Sequence, residues 1–220
     1  MNTFSIGACI KFGWETFWKR PGIFIKAAVL LFLISLVFNV VQSLLDLLLE
    51  SQNSTTLIIG GIASFVVALV SIYVSIIINN MGGTVFMLKA HDSLSSVTLR
   101  DLWHPHPFWK YVFTSILATL AVLVGLVFLI VPGIIIGLAF TYALLLVLER
   151  NLGPIEAMKE SARITRGNRW KLFLFGLVLI GVNLLGFLAL LIGLFVSVPV
   201  SFLAALHAYR TLAQKQEPAA

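Results

Sequence analysis

Charged side chains are almost missing from three long stretches of this chain, 23–78, 111–148 and 172–206, while Lys, Arg and Trp collect near or between their ends. About 20 apolar residues of helix cross a hydrocarbon core of ~30 Å, so runs of this length read as segments whose solvent is lipid. An unpaired backbone amide is costly there, and only helices or a closed barrel avoid one. Barrel strands alternate polar and apolar positions over about 10 residues, and LVGLVFLIVPGIIIGLAFTYALLLVL does not alternate. The pattern predicts an all-α polytopic membrane protein, a single integral membrane domain over 1–220.

Breaks in the pattern divide the stretches. Asp46, Glu50, Gln52, Asn53 and Ser54 mark 46–56 as a loop, giving spans at 23–45 and 57–79. Pro132-Gly133 reads as a tight turn separating 110–131 from 134–149. One unbroken helix over 111–148 would reach ~57 Å, well beyond the hydrocarbon. Gly193 is the turn between 171–191 and 194–210, with Pro199 as an alternative kink in the last helix.

Six spans place both termini on one side, and all 15 basic residues fall on that side. Lys11, Lys19, Arg20 and Lys26 precede or open span one, and Lys89, Arg100 and Lys110 separate spans two and three. Arg150, Lys159, Arg163, Arg166, Arg169 and Lys171 separate spans four and five, and Arg210 and Lys215 close the chain. The positive-inside rule makes this side cytoplasmic, with both termini of the multi-pass chain inside. Trp14, Trp18, Trp103, Trp109 and Trp170 share that side, as interfacial anchors.

A threefold pattern accompanies the spans. Trp109-Lys110 lies 23 residues before Pro132, Trp170-Lys171 lies 23 residues before Gly193, and the two sets are 61 residues apart. Trp18-Lys19-Arg20-Pro21-Gly22 stands at the same place before the first pair of spans. We read three hairpins, each preceded by a cytoplasmic amphipathic or interfacial helix.

The first surface helix covers about 3–20, with Ile10, Trp14, Phe17 and Trp18 on its apolar face and Lys11, Glu15 and Lys19 opposite. The second is short, with a capping box at Thr98-Leu99-Arg100-Asp101 and a stop at Pro105. The third has Pro154 at its first position, Glu156 and Glu160 near its positive end and Gly167-Asn168 closing it. Ile155, Met158, Ala162 and Thr165 form its membrane or protein face.

Composition sharpens this picture little: 60% hydrophobic and 11% charged residues, with mean hydropathy +1.03, already follow from the spans. The net charge of +6 and pI near 9.7 are spread along membrane boundaries, without the aromatic-basic groove of a nucleic-acid binder. Cys9 is the single cysteine, so the chain forms no internal disulfide. The first residues lack the ordered regions of a signal peptide, and Ile6-Gly7-Ala8-Cys9 has no preceding apolar run to make it a lipoprotein box.

Chemistry is sparse. His104 and His106, alternating with Pro105 and Pro107, read as a rigid turn rather than a metal site, with no acidic or cysteine set beside them. No nucleophile, phosphate-loop or dinucleotide motif occurs, and no cofactor is expected. The expected spans carry only neutral polar groups at depth, Asn39, Gln42, Asn79, Asn80 and Asn183 among them, which argues against ion-coupled transport. Lys159, Arg163, Arg166, Arg169 and Lys171 are contacts for anionic lipid headgroups or simple topology determinants.

The words Leu152-Gly153-Pro154-Ile155-Glu156-Ala157-Met158-Lys159-Glu160-Ser161 and Thr165-Arg166-Gly167-Asn168-Arg169-Trp170 carry a likeness. The chain resembles a group of bacterial six-span inner-membrane proteins of uncharacterised function, YciC-like. In that group a Gly-Pro-x-x-Ala-x-x-x-Ser segment leads through Gly-Asn-x-Trp into a late hairpin. The resemblance implies an integral plasma-membrane protein of a bacterium or archaeon and transfers no catalytic residue. The expected function is a noncatalytic membrane-organising or lipid-interacting accessory protein, partnered by membrane lipids and by a membrane protein or a second copy. The alternative is a transporter or channel for a weakly polar or amphipathic substrate.

Overall fold

The structure, a computed structural model, describes residues 4–50, 54–75, 80–103, 107–189 and 193–216. The described residues contain ten α-helices and no strand. They are α1 (Ile6–Lys19), α2 (Pro21–Glu50), α3 (Ser54–Ser75), α4 (Gly83–Asp92), α5 (Phe108–Phe128), α6 (Ile130–Phe140), α7 (Ala143–Arg150), α8 (Pro154–Thr165), α9 (Arg169–Leu188) and α10 (Leu194–Gln216). A short 3-10 helix, Leu99–Trp103, lies between α4 and α5. Among the described residues five helical segments are long and apolar enough to cross a membrane: Pro21–Leu44, Phe108–Phe128, Ile130–Arg150, Arg169–Leu188 and Leu194–Gln214.

Helix ends differ from the sequence expectation in three places. Residues 46–50, read as loop, continue α2, because the leucines flanking Asp46 are strong helix formers and nothing in the segment breaks a helix. The break between α5 and α6 falls at extended Leu129 (φ −167°, ψ 150°), three residues before Pro132. Proline is tolerated in the first turn of a helix, whose N–H groups have no intrahelical acceptor, so Pro132 begins α6 rather than ending α5. Gly133 then lets α6 fold back on α5: a methyl at Gly125 would lie 3.0 Å from the Gly133 Cα. Finally, the apolar segment 130–150 is broken at Thr141 and Tyr142 into α6 and α7.

That last break is repaired by α8. Ser161, fully buried, donates from its hydroxyl to the Ala139 carbonyl at 2.7 Å and accepts the Tyr142 amide at 3.1 Å. One side-chain oxygen thus supplies both a donor and an acceptor that the interrupted helix ladder lacks. The helix bearing it is well started, with Gly153 as N-cap, Pro154 next and the Glu156 carboxylate accepting the Gly153 amide at 3.1 Å. Its packed face is Ala157, Ser161, Ile164 and Thr165. Of the expected face Ile155, Met158, Ala162 and Thr165, only Thr165 is buried, and Ile155 is exposed. In α1 the packed face is Cys9, Gly13, Thr16 and Phe17, and Trp14 and Trp18 point away from it. Small and hydroxyl-bearing residues, not the bulkiest ones, let these helices approach their neighbours.

The two faces are the same pattern. Each buried residue of α1 (Cys9, Gly13, Thr16, Phe17) is matched in α8 at a constant offset (Ala157, Ser161, Ile164, Thr165). In α5 the buried residues are Tyr111, Thr114 and Gly125, and in α9 they are Leu172, Phe175 and Gly186, each 61 residues further on. Phe24 and Ala27, buried in α2, take the corresponding places near its start. Along the return helices, Gly82, Phe86, Leu88 and Ala90 match Ala139, Ala143, Leu145 and Val147, and these match Val200, Ala204, Leu206 and Ala208; all twelve are buried.

The contacts follow a cyclic order. The 3-10 helix packs on α4, α8 packs on α6 and α7, and α1 closes the ring by packing on α10. Equivalent positions are used: a methyl at Gly13 would strike the Val200 carbonyl, the counterpart of the Ala139 carbonyl that Ser161 engages. One at Gly82 would strike the Leu102 carbonyl of the 3-10 helix. Within each unit α2 packs on α3, α5 on α6 and α9 on α10.

Replacing Ser161 by Ala leaves the Ala139 carbonyl and Tyr142 amide without this partner inside the protein, at a cost of about 1–3 kcal/mol. Thermal unfolding in detergent is expected to shift downward for Ser161→Ala, and an unchanged transition would refute the role given to the hydroxyl.

Candidate functional site at the basic end

Side chains tie the ends of α4, α7 and α10 to the starts of α2 and α5, so these termini share one end of the molecule. Arg20, at the start of α2, donates to the Leu94 and Ser95 carbonyls at 2.7 and 3.1 Å. Lys110, at the start of α5, donates to the carbonyl and side-chain oxygens of Asn151, both at 2.9 Å. Asn151 ends α7 in the left-handed conformation, φ 52°.

Arg210 of α10 bridges two carboxylates from different helices. It donates to Asp92 of α4 at 2.5 Å and to Glu149 of α7, which also accepts the Tyr209 hydroxyl. Asp92, Glu149 and Arg210 occupy one equivalent position in the three units, 57 and 61 residues apart. His91 lies beside this group, its Nδ1 donating to Asp92 at 3.0 Å. Its Nε2 lies 3.4 Å from Nδ1 of His207. Phe12 of α1 stacks on the His207 ring at 4.1 Å between centroids.

Half of the capping box read at Thr98 is present: the Asp101 carboxylate accepts the Thr98 amide and hydroxyl at 2.7 and 3.1 Å, and Lys89 donates to it at 2.7 Å, while the Asp101 amide donates to the Thr98 carbonyl rather than to its hydroxyl, at 3.1 Å. Burial pushes the Asp101 carboxyl up, but the Lys89 and Thr98 hydrogen bonds and the Lys89 charge outweigh it and hold it below the ordinary value. Burial raises the Cys9 thiol to about 11, which keeps it protonated and a poor nucleophile.

All five tryptophans are more than half exposed, whereas Phe17, Phe24 and Phe86 are fully buried. Trp14 meets Trp18 edge to face, and Trp170 stacks on Phe173. Of the basic residues singled out in the sequence, Lys159, Arg166 and Lys171 are exposed and Arg169 is half-buried. Arg163 forms a two-pronged pair with Glu160 at 2.8 and 2.6 Å, which Arg150 approaches at 3.8 Å. His104, Pro105 and His106 lie outside the described residues. Among the described residues no three His, Cys, Asp or Glu side chains gather in a metal-binding geometry. The charged bridge and the His pair were missed in the sequence because their members are up to 118 residues apart; only the 61-residue spacing joining Glu149 to Arg210 pointed to them.

A helical chain with five apolar segments of membrane-spanning length, charged at one end and apolar outside, has the profile of a membrane protein. Residues 2–216 match the family described as "Protein of unknown function (DUF975)", and the chain belongs to that family. It is 23% identical over 167 residues to "Uncharacterized protein Rv2560" of Mycobacterium tuberculosis (strain ATCC 25618 / H37Rv), and to the same extent to "Uncharacterized protein Mb2590" of Mycobacterium bovis (strain ATCC BAA-935 / AF2122/97). Each match covers 76% of this chain and 51% of the relative, so the chain spans about half the length of these curated relatives. No solved structure matches it. The expected likeness to an uncharacterised family therefore holds.

Two measurements test the charged end. Removing Arg210 leaves Asp92 and Glu149 without their shared cation, and Arg210→Ala is expected to lose about 1–3 kcal/mol, between the ranges for exposed and buried pairs. Adding Glu149→Gln should restore part of that loss in a double-mutant cycle, and strict additivity would count against the bridge. Asp101→Asn should lower stability at neutral pH. Because the folded-state carboxyl is depressed, its contribution is full above the ordinary value of 3.8 and fades as pH falls through the lower folded value. The gap between wild type and Asp101→Asn, followed by thermal unfolding, is expected to narrow below about pH 4.

Proposed function

We propose that the chain is a six-span, noncatalytic membrane-organising protein of the plasma (inner) membrane, built as three hairpins with both termini cytoplasmic, that holds anionic lipid along its basic end. The observation that carries this reading is the outward display of all five indoles beside the basic residues. Tryptophan favours the headgroup level, and Lys and Arg favour the cytoplasmic, anionic leaflet. Beyond that rim the outer surfaces of α2, α5 and α9 are apolar and exposed, and Val127 and Phe128 at the far turn are 85% and 78% exposed. In this reading the sixth span is α3, 22 residues long. Function then rests on surface and shape: at the basic end Arg163 pairs with Glu160, and Arg210 with Glu149 and Asp92, while other cations stay exposed.

A carrier for an amphipathic molecule is the second reading, supported by a groove of about 250 Å³ lined by Ala118, Thr119, Val122, Leu123, Gly137 and Phe140 between α5 and α6. Saturable flux in proteoliposomes, abolished by filling this groove through Gly137→Leu, would favour it over the accessory reading.

Topology is tested by cysteine labelling in a Cys9→Ala background. Gln52→Cys is expected to react with an impermeant maleimide from outside the cell and Lys159→Cys only after permeabilisation. The reverse order would refute the assignment.

A further inference from the structure

The three units treat the cation at the entrance to their first long helix differently. In the first, Arg20 is consumed by the Leu94 and Ser95 carbonyls. In the second, Lys110 is consumed by the Asn151 carbonyl and side chain. Leu94 and Asn151 are equivalent positions, two residues beyond Asp92 and Glu149. In each case the return helix ends there, freeing a carbonyl to accept. The corresponding residue in the third unit is Leu212, and α10 runs on to Gln216. Its carbonyl remains inside the helix, and the third entrance has no acceptor of this kind.

The cations at that entrance are left over. Lys171 and Arg166 are exposed and have no hydrogen-bond or ion-pair partner among the described residues. The Nε of Arg169 is buried without a partner. Arg163, by contrast, is engaged by Glu160 with both prongs, and Lys159 lies two turns before Arg166 on α8. Trp170, 71% exposed and stacked on Phe173, stands between Arg169 and Lys171 in the chain. An indole marks the depth of the headgroups, where glycerol and acyl chain begin. Arg166, Arg169 and Lys171, three uncompensated cations within four residues of it in the chain, suit a phosphate, whose oxygens accept charge-assisted hydrogen bonds from several donors at once.

We infer that the corner between α8 and α9 is the seat of one anionic phospholipid, its phosphate held by Arg166, Arg169 and Lys171 and its glycerol region against Trp170, in the place that backbone carbonyls fill in the other two units. This rests on the lipid-holding reading above and narrows it from a charged rim to one headgroup.

Native mass spectrometry of the detergent-solubilised full chain, titrated with phosphatidylglycerol or phosphatidylcholine, tests it. Each cation near an anionic surface is worth about fivefold in affinity, so Arg166→Gln/Arg169→Gln/Lys171→Gln is expected to weaken the first phosphatidylglycerol by at least about tenfold. Lys11→Gln/Lys19→Gln/Arg100→Gln, with the same change in charge at exposed positions away from this corner, should stay within about twofold. Lys171→Gln alone changes only an exposed side chain, keeps the fold and should lose about fivefold. Equal losses in the two triple variants would overturn the seat while leaving a diffuse anionic rim. Equal retention of phosphatidylglycerol and phosphatidylcholine by the wild type would overturn the seat and the lipid-holding reading together.

Discussion

A single hydroxyl, that of Ser161, carries the constraint on which the middle of the molecule depends. In a low-dielectric interior a broken helix exposes carbonyls and amides that water cannot reach, and each needs a partner from the protein. Ser161 serves the two that the interruption at Thr141 and Tyr142 frees. In doing so it fixes the depth and rotation of α8, since only one face of that helix brings a hydroxyl to this point. Where the return helix is continuous, as in α10, no hydroxyl is required, and Gly13 takes the same place to let α1 lie against the Val200 carbonyl. One packing geometry is thus met by two chemistries, chosen by whether the helix opposite is intact.

The long apolar helices were legible because charge is excluded from hydrocarbon so strongly that its absence outlines them. The repeat was legible for a related reason: Trp109-Lys110 and Trp170-Lys171 sit at helix starts where the solvent changes from water to lipid. Rotations of the short helices were not legible. Amphipathic periodicity groups Trp14, Trp18, Ile155 and Met158 on apolar faces without saying whether lipid or protein meets them, and large apolar groups turn inward only when water covers the opposite side. At a lipid boundary the outside rewards large apolar groups too, and the inside selects Cys9, Gly13, Ala157 and Ser161 for closeness. Sequence words such as Gly153-Pro154 through Ala157 to Ser161 make sense only after that inversion: cap, first helical residue, contact, plug.

The bridge among Asp92, Glu149 and Arg210 was out of reach of any local pattern, because each residue looks like an ordinary boundary charge. Its meaning comes from the cyclic order of the units, which brings the ends of α4, α7 and α10 together. The apolar part of those helices is close to interchangeable between units, buried position for buried position, while the charged tips are not.

That difference sets a limit on symmetry. Three identical copies of any one unit, assembled as a trimer, would bring three like charges to the shared meeting point: three carboxylates from the first or second unit, three guanidiniums from the third. Fusing the units in one polypeptide removes this obstacle, because linkage in a single chain allows one copy to drift to the opposite sign while its neighbours keep theirs. The meeting point is therefore also an address. It distinguishes the third unit from the other two, so that an assembly with no third unit, or with third units alone, would be penalised electrostatically even where the apolar surfaces fit.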